Sequence, residues 1–257
     1  MPARSVDKAL AVLKQFSASE PQLGVSELGR RLGMTKSTVH RLLGSLVKSG
    51  LVEQDPQTRE YMLARETAQL GYTAIYSDPL LRTAFPYLHY LAHEVQEAVY
   101  MAIRRGVEAH PVLHVLSPTL REQLGWYRTI PLYSTAAGKV LLAYAEDRVL
   151  RRVLDQGLTA RTENTITDPG ALQDELDKVR QQGYALCFEE EKLGINAAAV
   201  PVREPDGSVV AALSVAGPAY SLTHDKATAA LEQLRAIAGE ITHKLVVPPP
   251  PRRRRAR

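Results

Sequence analysis

The chain has 257 residues, 45% of them hydrophobic and 23% charged, with a net charge of +4; this is apolar material enough for two packed domains and argues against general disorder. One cysteine, Cys187, excludes a disulfide framework or a cysteine-cluster zinc site within a chain and favours a reducing, cytoplasmic setting. No apolar window approaches the ~20 residues of a membrane span, and MPARSVDKAL has no apolar run of the kind that marks a secretory signal.

The charge is unevenly spread. Residues 1–65 hold ten Lys/Arg against six Asp/Glu, residues 66–251 hold seventeen against twenty-two, and residues 252–257 add five arginines. A basic head and tail around a mildly acidic body point to a polyanion at one end.

In chain order, Val6–Phe16 places Ala9, Leu10, Val12, Leu13 and Phe16 on one helical stripe. QLGVSELGRRLG reads as a second helix, with Ser26 as its cap and Gly33 at its stop. A third helix runs from about Lys36 to Ser49, where Val39, Leu42, Leu43, Leu46 and Val47 form a buried stripe. LVEQDPQTREYMLA reads as strand, turn and strand. This is the chain order of a winged helix-turn-helix. Glu66–Ser77 is a helical linker without a strong stripe. Asp78-Pro79 starts a longer helix that Pro86 should kink or split. AVYMAI and VEAHPVLHVL flank Arg104-Arg105-Gly106 as a hairpin. STAAGKVLLAYA is a helix, Asp168-Pro169 caps another that ends at Gly183, and YALCF, INAAAVPV and SVVAALSV are strands. The last helix runs from about Thr223 to Leu245, and the Pro/Arg tail is expected to be disordered.

The third helix carries the chemistry. Its polar face is Lys36, Ser37, His40, Arg41, Gly44, Ser45 and Lys48, and from Leu28 to Val52 there are five Lys/Arg and no Asp/Glu. An exposed helix serving solubility alone mixes signs; this one makes sense if DNA supplies the missing charge. The expected contacts are Thr35 and Lys36 at the helix start, Ser37, Thr38, His40 and Arg41 toward bases or phosphates, Lys48 late in the helix, and Arg59 from the wing turn. The bland alternative is a solvated basic face with Thr35 as a plain cap.

SVDKALAVLKQFS and SELGRRLGMTKSTVHRLLGSLVKSGLVEQDPQTREYML resemble the DNA-binding domain of IclR-type bacterial transcriptional regulators. IPLYSTAAGKVLLA, GYALCFEEEKLGINAAAVPV and GSVVAALSVAGP resemble that family's effector domain, in the same order. YMLA departs from the leucine-glycine usual after the wing. The resemblance implies an α+β chain. Its winged helix-turn-helix (1–65) is joined by a linker helix (66–77) to a GAF-like effector domain (78–246) with a curved antiparallel sheet flanked by helices; a disordered tail (247–257) follows. It further implies a pocket at Ala136, Ala137, Gly138, Cys187, Ile195, Ala197, Ser214 and Ala216. Ser214 and the amides near Ala137–Gly138 would be the donors for a small organic acid, with aromatic acids among those expected. The expected partners are operator DNA and further copies of the chain in a dimer or tetramer, with no cofactor, no metal, no membrane and no catalysis; repression is favoured over activation.

Two other classes compete. A non-specific nucleic-acid protein would bind through the arginine tail. An enzyme would use Cys187, although the following Glu189, Glu190 and Glu191, read as a solvated strand end or cap, would raise the thiol pKa. AAGK is no phosphate loop, because Tyr133 stands where its first glycine belongs. His110 and His114 are spaced for a metal only on a helix, and Pro111 argues for strand.

Overall fold

The computed structural model describes residues 4–17, 19–115 and 129–246. They fall into two compact units divided between Asp78 and Pro79. The run 247–257, with its expected disorder, lies outside the described residues.

The first unit contains α1 (Arg4–Leu13), α2 (Val25–Leu32), α3 (Lys36–Lys48), the hairpin strands β1 (Val52–Gln54) and β2 (Tyr61–Leu63), and α4 (Thr67–Ser77). Val12, Leu28, Val39 and Leu43 are its fully buried centre, ringed by Phe16, Leu23, Leu42, Leu46, Val52 and Tyr61. Three details differ from the sequence reading. α1 ends at Leu13, so Phe16 reaches the core from the loop beyond it, while Leu10 is 48% exposed. Gly24 rather than Ser26 is the N-cap of α2, without a side-chain bond, because the helix begins at Val25 and leaves Ser26 inside the first turn. Val47 is 41% exposed, so the buried stripe of α3 stops at Leu46.

The α2–α3 turn is tight. Gly33 closes α2 with φ 61° and donates its amide to the Gly29 carbonyl. A Cβ on Gly29 would lie 2.8 Å from the Met34 carbonyl oxygen, so only glycine lets the turn pass this close. The wing is closed by Asp55, whose Oδ1 accepts the amides of Gln57 and Thr58 at 2.7 and 3.1 Å. Leu23 joins its edge by exchanging backbone bonds with Tyr61.

The second unit is α+β. It comprises α5 (Pro79–Val95), β3 (Ala98–Arg105), β4 (Glu108–Val115), β5 (Ile130–Pro131), α6 (Ala136–Ala143), α7 (Asp147–Asp155), α8 (Pro169–Gln182), β6 (Ala185–Phe188), β7 (Ile195–Arg203), β8 (Val209–Pro218) and α9 (His224–Val246). The strands form one antiparallel sheet in the order β5-β4-β3-β8-β7-β6. α5 is one helix, not two pieces, with Pro86 on its exposed side. Asp168 caps α8 through a 2.8 Å bond from the Ala171 amide, with Pro169 at N1 and Gly183 at the C-cap.

All eight residues of α6 are buried. The helix lies on one sheet face, over Ala185, Cys187, Ala197, Ala199, Ala212 and Ala216, and is covered outside by Val149 and Val153 of α7 and Leu172, Leu176 and Val179 of α8. Small residues on the sheet let α6 approach closely. Gly138 marks the nearest point, since a Cβ there would sit 2.3 Å from the Pro131 carbonyl oxygen. The opposite face, with Val200, Val202, Leu213 and Val215, is buried as well, and α5 and α9 pack against the sheet from that side.

Candidate nucleic-acid interface and ligand face

α3 presents an exposed cationic ridge. Thr35 is its N-cap and accepts the Thr38 amide at 3.3 Å, and its hydroxyl also meets those of Ser37 and Thr38. Lys36, Ser37, His40, Arg41, Gly44, Ser45 and Lys48 are exposed, and Thr38 is half-buried. The first turn carries no acid. Sequence alone overstated one part of this. Arg30 and Arg31 on α2 are neutralised by Glu27 and Glu20, which lie just outside the acid-free window, at 2.5–2.6 Å. Among the described residues no such ion pair reaches Lys36, Arg41 or Lys48. α3 thus carries three cations with no ion pair among the described residues. Arg59 is exposed in the wing turn with φ 62°, a strained conformation for a residue with a Cβ.

The second unit gathers the expected effector residues around α6. Ala136, Ala137 and Ser214 are fully buried, and Cys187, Ala197 and Ala216 nearly so. Ile195 is half-buried at the start of β7. The donors are arranged differently from the expectation. The Ser214 hydroxyl already donates to the Ala198 carbonyl at 2.9 Å. The Gly138 amide donates to Thr135 Oγ1 at 3.0 Å. Gly138 therefore serves close packing and the helix cap, and the amides that the helix cannot bond internally are those of Ala136 and Ala137.

The glutamate run is not a solvated strand end. Lys139 is buried on α6, with Nζ 2.7 Å from Glu190 Oε1 and 3.0 Å from Glu175 Oε1. Burial opposes the charge on Lys139, but the neighbouring carboxylates outweigh it and hold its pKa above the ordinary lysine value. Glu189 accepts the Gly194 amide at 2.6 Å, and Glu191 accepts the Ser134 hydroxyl. Sequence could have suggested this, since a lysine amid apolar α6 needs a buried partner.

Two family models divide the chain between them. The IclR helix-turn-helix domain matches residues 5–56, and the C-terminal domain of the bacterial transcriptional regulator IclR matches residues 72–243. The chain belongs to the IclR family. It is similar to the Escherichia coli regulator KdgR, 32% identical over 93% of this chain and 94% of KdgR. It also resembles the Salmonella typhimurium transcriptional repressor AllR, 31% identical over 95% and 90%. Among solved structures it resembles a Microbacterium hydrocarbonoxydans IclR homolog complexed with 4-hydroxybenzoate, with a TM-score of 0.77, 25% identity, and coverage of 94% of this chain and 98% of that one.

This IclR-family chain is a DNA-binding transcriptional regulator, and not an enzyme. The thiol fits that assignment. Burial, then the Glu190 charge, pushes Cys187 up to about 12, and its Sγ donates to the Ser134 carbonyl at 3.3 Å. Such a thiol is not an activated nucleophile. His110 and His114 both lie on β4, and among the described residues no cluster of His, Cys, Asp and Glu is arranged to hold a metal. No helix among them is long and apolar enough to cross a membrane. One residue of the ligand face escaped the sequence reading: Tyr100 of β3 packs against the α6 core opposite Ser214.

Proposed function

We propose that this regulator is a ligand-responsive repressor in the cytoplasm, and that residues 1–65 read operator DNA. In this reading α3 lies in the major groove. Arg41 takes a base edge, Ser37, Thr38 and His40 contact bases or phosphates, Thr35 and Lys36 hold a phosphate at the helix start, and Lys48 and Arg59 add backbone contacts. The observation that carries it is the ridge of Lys36, Arg41 and Lys48, which has no ion-pair partner among the described residues, beside an α2 whose two arginines are neutralised. The repressor AllR, alike over nearly the whole chain, supports the direction of control.

Residues 66–77 serve as the linker and 78–246 as the effector domain. The effector is a small organic acid held near Ala136, Ala137, Cys187, Ile195, Ala197, Ser214 and Ala216, and the 4-hydroxybenzoate complex of the related protein supports an aromatic one. The working form is a homodimer or homotetramer, because one recognition helix covers only a few base pairs of a two-fold operator. Exposed Leu70, Tyr72 and Tyr76 on α4, and Val6 and Leu10 on α1, support contact with a second copy. Footprinting on DNA flanking the protein's own gene, repeated with a panel of organic acids, tests the whole reading. Protection of a two-fold site that one acid releases is expected; uniform coating of the DNA, insensitive to every acid, contradicts it.

A further inference from the structure

Two rows of side chains cross the sheet beneath α6. One runs through Cys187, Ala197, Ala216 and Ala98, and the next through Ala185, Ala199, Ser214 and Tyr100. Directly paired residues of an antiparallel sheet share a face, and so do neighbouring rows two residues apart. These positions are therefore a floor of small side chains from which a single aromatic one rises.

We propose that Tyr100 determines effector specificity, its phenol hydroxyl donating to the carboxylate of a monocarboxylic acid lodged over Ala197, Ala216 and Cys187. This rests on the organic-acid reading of the effector domain. The other polar groups of the floor are engaged: Ser214 donates to the Ala198 carbonyl and Cys187 to the Ser134 carbonyl. Lys139 is the only buried Lys or Arg among the described residues, and Glu190 and Glu175 hold it. The Tyr100 phenol stands on the residue paired with Ser214 across β3 and β8, and burial pushes its pKa up to about 12, so it keeps its proton at neutral pH. Its O–H rotates, and the proton can turn to an incoming anion. A carboxylate met by neutral donors gains a charge-assisted bond. A second carboxylate would be buried over alanine with no cation to offset it, so dicarboxylates are disfavoured.

The test is calorimetric titration of the full chain and of Tyr100→Phe with benzoate, 4-hydroxybenzoate, pyruvate, succinate and benzamide. The wild type is expected to bind at least one monocarboxylate and to prefer it to succinate. Tyr100→Phe is expected to weaken that acid by about tenfold or more, to leave the weaker benzamide binding nearly unchanged, and to keep the wild-type melting temperature and acid-free DNA affinity. A variant that binds the acid as tightly as wild type overturns the proposal alone. So does an equal loss for acid and amide, or a parallel drop in melting temperature, since either marks a structural role. A preference for succinate also overturns it. Wild-type protein that binds no acid of the panel removes the organic-acid reading itself, and the proposal with it.

Discussion

At the residue scale, charge is placed by partnership. Lys139 is buried because Glu190 and Glu175 meet it, while Lys36, Arg41 and Lys48 stay at the surface with no ion pair among the described residues. Lys36→Ala should weaken binding to every duplex alike and lower the slope of log affinity against log salt by about 1; titrations at four salt concentrations check this, and an unchanged slope removes the phosphate contact. Cys187 gives a pH prediction. Its folded-state value of about 12 lies above the unfolded value of 9.0, so between those limits the unfolded chain loses a proton that the folded chain keeps. The stabilisation is complete below pH 9 and is lost as pH rises toward 12. Urea unfolding of Cys187→Ala should show a shallower decline than wild type above pH 9, by up to about 1.4 kcal/mol per pH unit. Parallel curves would mean that the thiol ionises equally in both states.

At the element scale, the helices depend on a few positions that cannot be exchanged. Gly138→Ala would press a methyl into the Pro131 carbonyl and the Leu132 backbone, and should cost about 3 kcal/mol or more by forcing α6 off the sheet. Thr35→Ala, which removes only a cap, should cost about 1 kcal/mol; denaturant melts of both variants rank them, and the reverse order would mean that α6 has slack. Most elements were legible beforehand, because α3 and α8 carry clear apolar periods and standard stops. α7 was overlooked, although Val149, Leu150, Val153 and Leu154 of DRVLRRVLD recur at helical spacing between its charges. The two-residue β5 left no pattern at all. At the sites, the cationic face of α3 could be read from spacing alone, whereas the Lys139–Glu190 pair spans 51 residues and Tyr100 meets Ser214 across strands that are far apart in sequence. Local periodicity carries no information about such pairings.

At the scale of the whole molecule, regulation requires the acid to bind the DNA-bound and free proteins with different affinities. The coupling is reciprocal: an acid that weakens operator binding by some factor must itself be bound more weakly, by the same factor, to the operator-bound protein. Measuring the acid's Kd with and without saturating operator checks this equality, and equal Kd values beside a clear release of DNA would exclude equilibrium coupling. Deleting residues 252–257 should lower general DNA affinity and its salt dependence while operator preference survives; loss of preference on that deletion would favour a tail-driven, non-specific binder. The most direct test of the central claim is a comparison of wild type and Arg41→Ala on operator and scrambled duplexes at matched salt. If α3 reads DNA, the variant loses about 1–3 kcal/mol on the operator and little on the scrambled duplex. An Arg41→Ala protein with the full operator preference of wild type would contradict the account.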